Sequence, residues 1–112
     1  MKVRVSLFAA CAALLLGSSA VHALDEDGVK SLLKKNNCMK CHAENKAKDG
    51  PSYKEIADKF RGKADAEAKI TTHVTTLTKI KNKDGKEEDH EPLKTKDEAE
   101  VKAIVQWILS RP

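Results

Sequence analysis

Methionine is nearly absent from this chain: the 112 residues hold two, Met1 and Met39. Any thioether ligation of a metal would have to use one of them. Aromatic side chains are equally scarce at 4 %, and past Ala23 only Tyr53, Phe60 and Trp107 remain. A short chain with so little bulk buries a modest fraction of its surface and leans on a metal, a disulfide or a cofactor. No stretch alternates apolar and polar residues as a half-buried strand does. There is no internal repeat and no βαβ pattern. The fold class left by these absences is all-α, one domain at most.

The apolar residues that do run together stand at the start. Met1-Lys2-Val3-Arg4 precedes an apolar run through Leu16, and Val21-His22-Ala23 closes it. A basic opening, a short apolar segment and a small-x-small end describe a cleavable secretory signal peptide. The run is too short to span a bilayer. Residues 1–23 are therefore expected to leave, giving a mature domain of residues 24–112 with no stable membrane insertion and a periplasmic location. Cys11 goes with them, as do Lys2 and Arg4, which lowers the formal charge from +4 to +2. The whole-chain pI of about 9.0 thus gives no reason to expect a nucleic-acid partner.

Two cysteines survive this removal, and they fall in Cys38-Met39-Lys40-Cys41-His42. Cys-x-x-Cys-His is the spacing that attaches a c-type haem. The two thiols form thioethers with the haem vinyl groups, and neutral imidazole suits iron. A closed zinc site needs two more ligands, commonly a second Cys or His pair at short spacing; beyond His42 only the widely separated His73 and His90 remain. A thioredoxin-like redox motif belongs with a βαβ unit. A simple disulfide across two residues is sterically poor and leaves His42 unexplained. One covalent haem c would also supply the missing apolar bulk.

In chain order, Asp25-Glu26-Asp27 opens a first helix with acids where the dipole favours them, and Val29, Leu32 and Leu33 share one face. Lys34-Lys35 and Asn36-Asn37 end it. After the motif and a polar stretch closed by Gly50-Pro51, Ser52-Tyr53-Lys54-Glu55 reads as a capping box. It starts a short helix with Tyr53, Ile56, Ala57 and Phe60 inward, ending near Arg61-Gly62. A third helix begins about Ala64 or Asp65, with Ile70, Val74 and Leu77 inward. From Lys81 to Lys94 no element is expected, despite the Asp84-Gly85 turn signal and Pro92. Thr95-Lys96-Asp97-Glu98 reads as a second capping box before the last helix, whose apolar face is Val101, Ile104, Val105 and Ile108, with Trp107 at its edge.

Helix, Cys-x-x-Cys-His, Gly-Pro, two further helices, a polar loop and a C-terminal helix bearing Trp: this order resembles the small bacterial monohaem class I cytochromes c, over essentially all of Leu24 to Pro112. The resemblance implies crossed terminal helices, a Pro51 carbonyl accepting from His42 Nδ1, and Trp107 near a haem propionate. It also implies an axial methionine before the last helix, which the inventory excludes, since Met1 leaves and Met39 is pinned between the cysteines. His90, in Asp89-His90-Glu91-Pro92, falls at about the position of that ligand and is the candidate sixth ligand; His73, bordering the third helix face, is its competitor.

Such a haem, filled on both sides by His42 and His90, implies a one-electron carrier rather than an enzyme, with a potential below that of His/Met relatives. An open or switchable sixth site would instead bind NO, CO or peroxide, and a haem subunit of a larger redox enzyme is the third alternative. Lys34, Lys35, Lys40, Lys46 and Lys48 surround the motif and are expected to steer acidic redox partner proteins.

Overall fold

The structure, a computed structural model, describes residues 24–112; the expected signal peptide lies outside them. Four helices form the domain: α1 (Glu26–Lys35), α2 (Tyr53–Phe60), α3 (Ala66–Thr75) and α4 (Glu98–Leu109). Helix α4 is the hub, packing against each of the other three. Its apolar face explains this, because Val101, Ile104, Val105, Trp107 and Ile108 are all buried. They meet Val29, Leu32 and Leu33 of α1, Tyr53 of α2 and Ile70 of α3 in one core. The all-α expectation and the packed terminal helices are thus observed. Among the described residues no helix is long and apolar enough to cross a membrane.

Local chemistry sets the helix ends. Asp25 caps α1 by accepting from the Gly28 amide. Ser52 and Glu55 form the expected capping box, each side chain accepting from the other residue's backbone N–H, which satisfies two amides that the first turn leaves unpaired. At α4 the expectation needs correcting. Asp97, not Thr95, is the cap, and its carboxylate accepts from the Ala99 and Glu100 amides. Thr95 stands outside the helix, its hydroxyl accepting from the Asp97 amide and donating to Glu100.

Two further corrections concern the stretch after α3. A β-hairpin, β1 (Thr78–Lys81) and β2 (Glu87–His90), occupies much of the segment expected to hold no element. The strands pair antiparallel, with Thr78 opposite His90. Both are four residues long; β1 alternates half-buried and exposed residues and β2 is mostly exposed, a run too short and too polar for a period-2 signal to stand out. The turn was the readable part. Asn82 Oδ1 accepts from the Asp84 and Lys86 amides, and Gly85 adopts φ +76°, a left-handed conformation that glycine takes at little cost. Leu77 is 61 % exposed rather than inward, because α3 ends at Thr75 and helical spacing no longer applies.

Candidate haem site

Asn37 carries the chain out of α1 in a left-handed conformation, φ 58°, and directly into a 3-10 turn, Cys38–Lys40. Asn tolerates that region better than most residues. The turn places Cys38 and Cys41 on one wall, both free thiols, and His42 N donates to Cys38 O at 3.0 Å. Burial pushes the Cys38 thiol above its usual range. Met39 packs against the core. Lys48 Nζ donates to Met39 O at 3.0 Å, so one of the five lysines around the motif also closes its loop.

His42 is held from behind. Its Nδ1 lies 2.6 Å from Pro51 O, the contact that the Gly-Pro pair implied. Gly50 is what permits it: a Cβ there would stand 2.8 Å from His42 Cε1 and 3.1 Å from Nδ1. With Nδ1 engaged by a carbonyl acceptor, the ring is fixed in the tautomer that leaves Nε2 free for a metal.

The rings form a continuous series. Trp107 meets Tyr53 edge to face at 5.2 Å, Tyr53 lies 5.4 Å from His42, His42 lies 6.2 Å from His90, and His90 lies 4.2 Å from His73. His73 Nδ1 is 3.3 Å from the Thr78 hydroxyl. Three buried polar atoms in this series have no partner: Tyr53 Oη, His90 Nδ1 and Trp107 Nε1. Orphaned buried groups are rare in folded proteins, and the Tyr53 and Trp107 donors ask for a missing acceptor. A haem would suit the site: its propionates would supply acceptors for the Tyr53 and Trp107 donors. The separation of the His42 and His90 rings would also suit two imidazoles on one metal, since two metal–nitrogen bonds of roughly 2 Å can place ring centres about 6 Å apart.

Electrostatics favour neutral imidazoles here. Burial pushes His90 down to about 4, helped by repulsion from His73 and His42, and burial likewise lowers His73. The neutral form is the one that binds metal. Burial also raises the Tyr53 phenol, keeping it a donor. A cavity of about 320 Å³ opens between the motif and the hairpin turn, lined in part by Cys41, Asn82 and Glu88. A larger one of about 460 Å³ lies between α3 and the start of α4, away from the histidines.

The structure thus brings Cys38, Cys41, His42, Pro51, His90 and Trp107 toward one region. The sequence marks Tyr53 as a helix-face residue, and its standing as the sole tyrosine, two positions after Gly-Pro, is the signal for its place in the site. Neither Thr78 nor the contact of His73 with His90 was visible without the hairpin register.

A helical shell closed over a Cys-x-x-Cys-His turn is the frame of a small protein carrying one covalently attached c-type haem. The chain belongs to the cytochrome c family, which it matches over residues 26–112, and its fold is that of the class I monohaem members. It is 31 % identical to cytochrome c-551 of Pseudomonas aeruginosa over 84 residues, covering 71 % of this chain and 73 % of that one. The class 1 cytochrome MtoD of Sideroxydans lithotrophicus ES-1 is similar at 56 % identity and TM-score 0.73, covering 79 % of this chain and 97 % of the other. Cytochrome c552 of Nitrosomonas europaea follows at 29 % identity and TM-score 0.61, with 74 % and 99 % covered. As a member of this family the chain is an electron carrier, not an enzyme; Cys38 and Cys41 form its haem attachment site, and redox proteins are its partners.

Proposed function

We propose that this chain is a periplasmic one-electron carrier whose single haem c is ligated by His42 and His90, in the absence of any axial methionine. Cys38 and Cys41 would hold the haem by thioethers, the Pro51 carbonyl would fix the His42 ring, and Tyr53 and Trp107 would donate to the propionates. Bound there, haem iron supplies a reversible one-electron couple. The observation that carries this reading is the 6.2 Å between the His42 and His90 ring centres, a spacing that suits two imidazoles on opposite sides of one metal.

A second imidazole in place of methionine lowers the potential, so the carrier works below His/Met relatives. Asp89 contributes little to that lowering, because Lys79 pairs with it. Glu88 and Glu91 remain as exposed negative charge beside the ligand. Lys34, Lys35, Lys40 and Lys46 are exposed around the motif and would steer acidic partners, with a rate that falls as salt rises. Export follows from the Val21-His22-Ala23 end, and the mass of the mature protein isolated from cells should begin at Leu24.

Near-infrared magnetic circular dichroism of the oxidised holoprotein tests the ligation. A bis-imidazole band is expected in the wild type, lost in His90→Ala and kept in His73→Ala. A histidine/water signature in the wild type would refute the reading.

A further inference from the structure

A histidine that binds a metal almost always donates its other N–H to a carbonyl, a carboxylate or water, and that bond fixes the ring. His42 has such a bond, to Pro51 O at 2.6 Å. His90 does not: its Nδ1 is buried and unpartnered. Something else must set the plane of the His90 ring. The neighbouring ring is that of His73, which lies 4.2 Å away and 33° from parallel. His73 is not free to turn, because its Nδ1 and the Thr78 hydroxyl are 3.3 Å apart. Thr78 is in turn the cross-strand partner of His90. The three residues close a small circuit: strand pairing sets Thr78 against His90, Thr78 holds His73, and His73 lies against His90. A further backbone bond, Leu93 N to Val74 O at 2.7 Å, ties the end of α3 to the chain just past β2.

We propose that His73 is a positioning residue for the distal ligand, its ring, anchored by Thr78, bracing His90 by face contact where a hydrogen bond to Nδ1 is missing. The inference rests on His42/His90 ligation. It gives the two sides of the iron different restraints. His42 is oriented by a directional bond to backbone, and His90 by a ring contact that resists rotation but adds no basicity. The 58° between the His42 and His90 planes is then a quantity that His73 helps to set, and it is readable in the ferric electron paramagnetic resonance spectrum. Ring contact depends on an aromatic face and not on a particular nitrogen, so phenylalanine should replace His73 and alanine should not.

The test uses the ferric holoproteins of wild type, His73→Ala, His73→Phe, Thr78→Val and His90→Ala. Two readouts are taken: the g-values at low temperature, and the rate at which added imidazole displaces the distal ligand. In His73→Ala displacement should quicken by about two- to tenfold, the range that one aromatic pair supplies, with shifted or broadened g-values. His73→Phe should restore both toward wild type. Thr78→Val should move both in the direction of His73→Ala, by less, and decides the matter if His73→Ala does not fold. Unchanged g-values and displacement rates in His73→Ala, or His73→Phe behaving like His73→Ala while both keep two imidazole ligands, overturn the bracing role alone. Loss of the bis-imidazole spectrum in both His73 variants but not in His90→Ala would instead make His73 the ligand, and would overturn the ligation reading with it.

Discussion

Gly50→Ala should be the most damaging single-methyl addition in the domain. The new Cβ would stand 2.8 Å from His42 Cε1, 3.1 Å from Nδ1 and 3.3 Å from Cys41 O. Two of these neighbours belong to the ring and one to backbone, so none is the loose end of a flexible side chain. The ring can retreat only by lengthening the 2.6 Å contact from Nδ1 to Pro51 O, and the backbone only by disturbing the Gly50 N to Cys41 O bond at 2.9 Å. Overpacking of this kind costs about 1–3 kcal/mol, and a weakened hydrogen bond adds about 1 kcal/mol, so a loss of about 2–4 kcal/mol is expected. Guanidinium unfolding of the oxidised holoprotein, followed in the Soret band and by far-ultraviolet dichroism, measures it. The reduction potential supplies a second readout: a carbonyl acceptor raises the basicity of a ligating imidazole, so loosening it should raise the potential. Gly85→Ala is the control. Gly85 has φ +76° with nothing within 4 Å of an added Cβ, so it should lose about 1–2 kcal/mol through backbone strain alone with the potential unmoved. Equal potentials in Gly50→Ala and wild type, with stabilities within about 0.5 kcal/mol, would refute the steric argument.

Arg111→Ala should destabilise by about 1–2 kcal/mol through loss of the guanidinium stacked 4.0 Å over Trp107, a partly desolvated cation–π contact; Arg111→Lys should recover only part of this in the same unfolding assay. Asn36→Ala should cost about 1–3 kcal/mol, because Asn36 Oδ1 accepts from the Lys94 and Thr95 amides and joins the end of α1 to the approach of α4. Acid should destabilise the domain through His90, which is depressed to about 4: its contribution is fully present above its unfolded value of about 6.5 and is lost as pH falls from there through about 4. The unfolding midpoint of wild type minus that of His90→Ala should hold steady above neutrality and fall below it, and a difference independent of pH would contradict this. Removal of the haem should leave a largely unfolded chain, and full native helicity in the apo-protein would count against the cofactor's share of the core.

What could be read in the sequence and what could not divide along physical lines. The helix faces were legible because α1 and α4 each bury a regular stripe, Val29, Leu32 and Leu33 against Val101, Ile104, Val105 and Ile108. The Ser52 capping box was legible because its two partners are three residues apart. The Asp97 cap was not, since Thr95 and Asp97 both fit a capping position and only the backbone decides between them. The hairpin was hidden because a two-stranded ribbon of Lys, Glu, Asp and Thr buries too little to leave a pattern. In the site, Cys38, Cys41 and His42 announce themselves by spacing. The partnership of His73, Thr78 and His90 arises from strand register, which no local motif encodes.

Under the proposed ligation, that register also specifies the far side of the iron. Side chains on a strand alternate between faces, so a slip of one residue in β1 against β2 would turn His90 away, and a slip of two would put Glu88 or Pro92 where the imidazole stands. The length of the tight turn at residues 82–86 is therefore a ruler for ligand choice. A single insertion or deletion there would then act on the colour and potential of the protein more than on the helical shell.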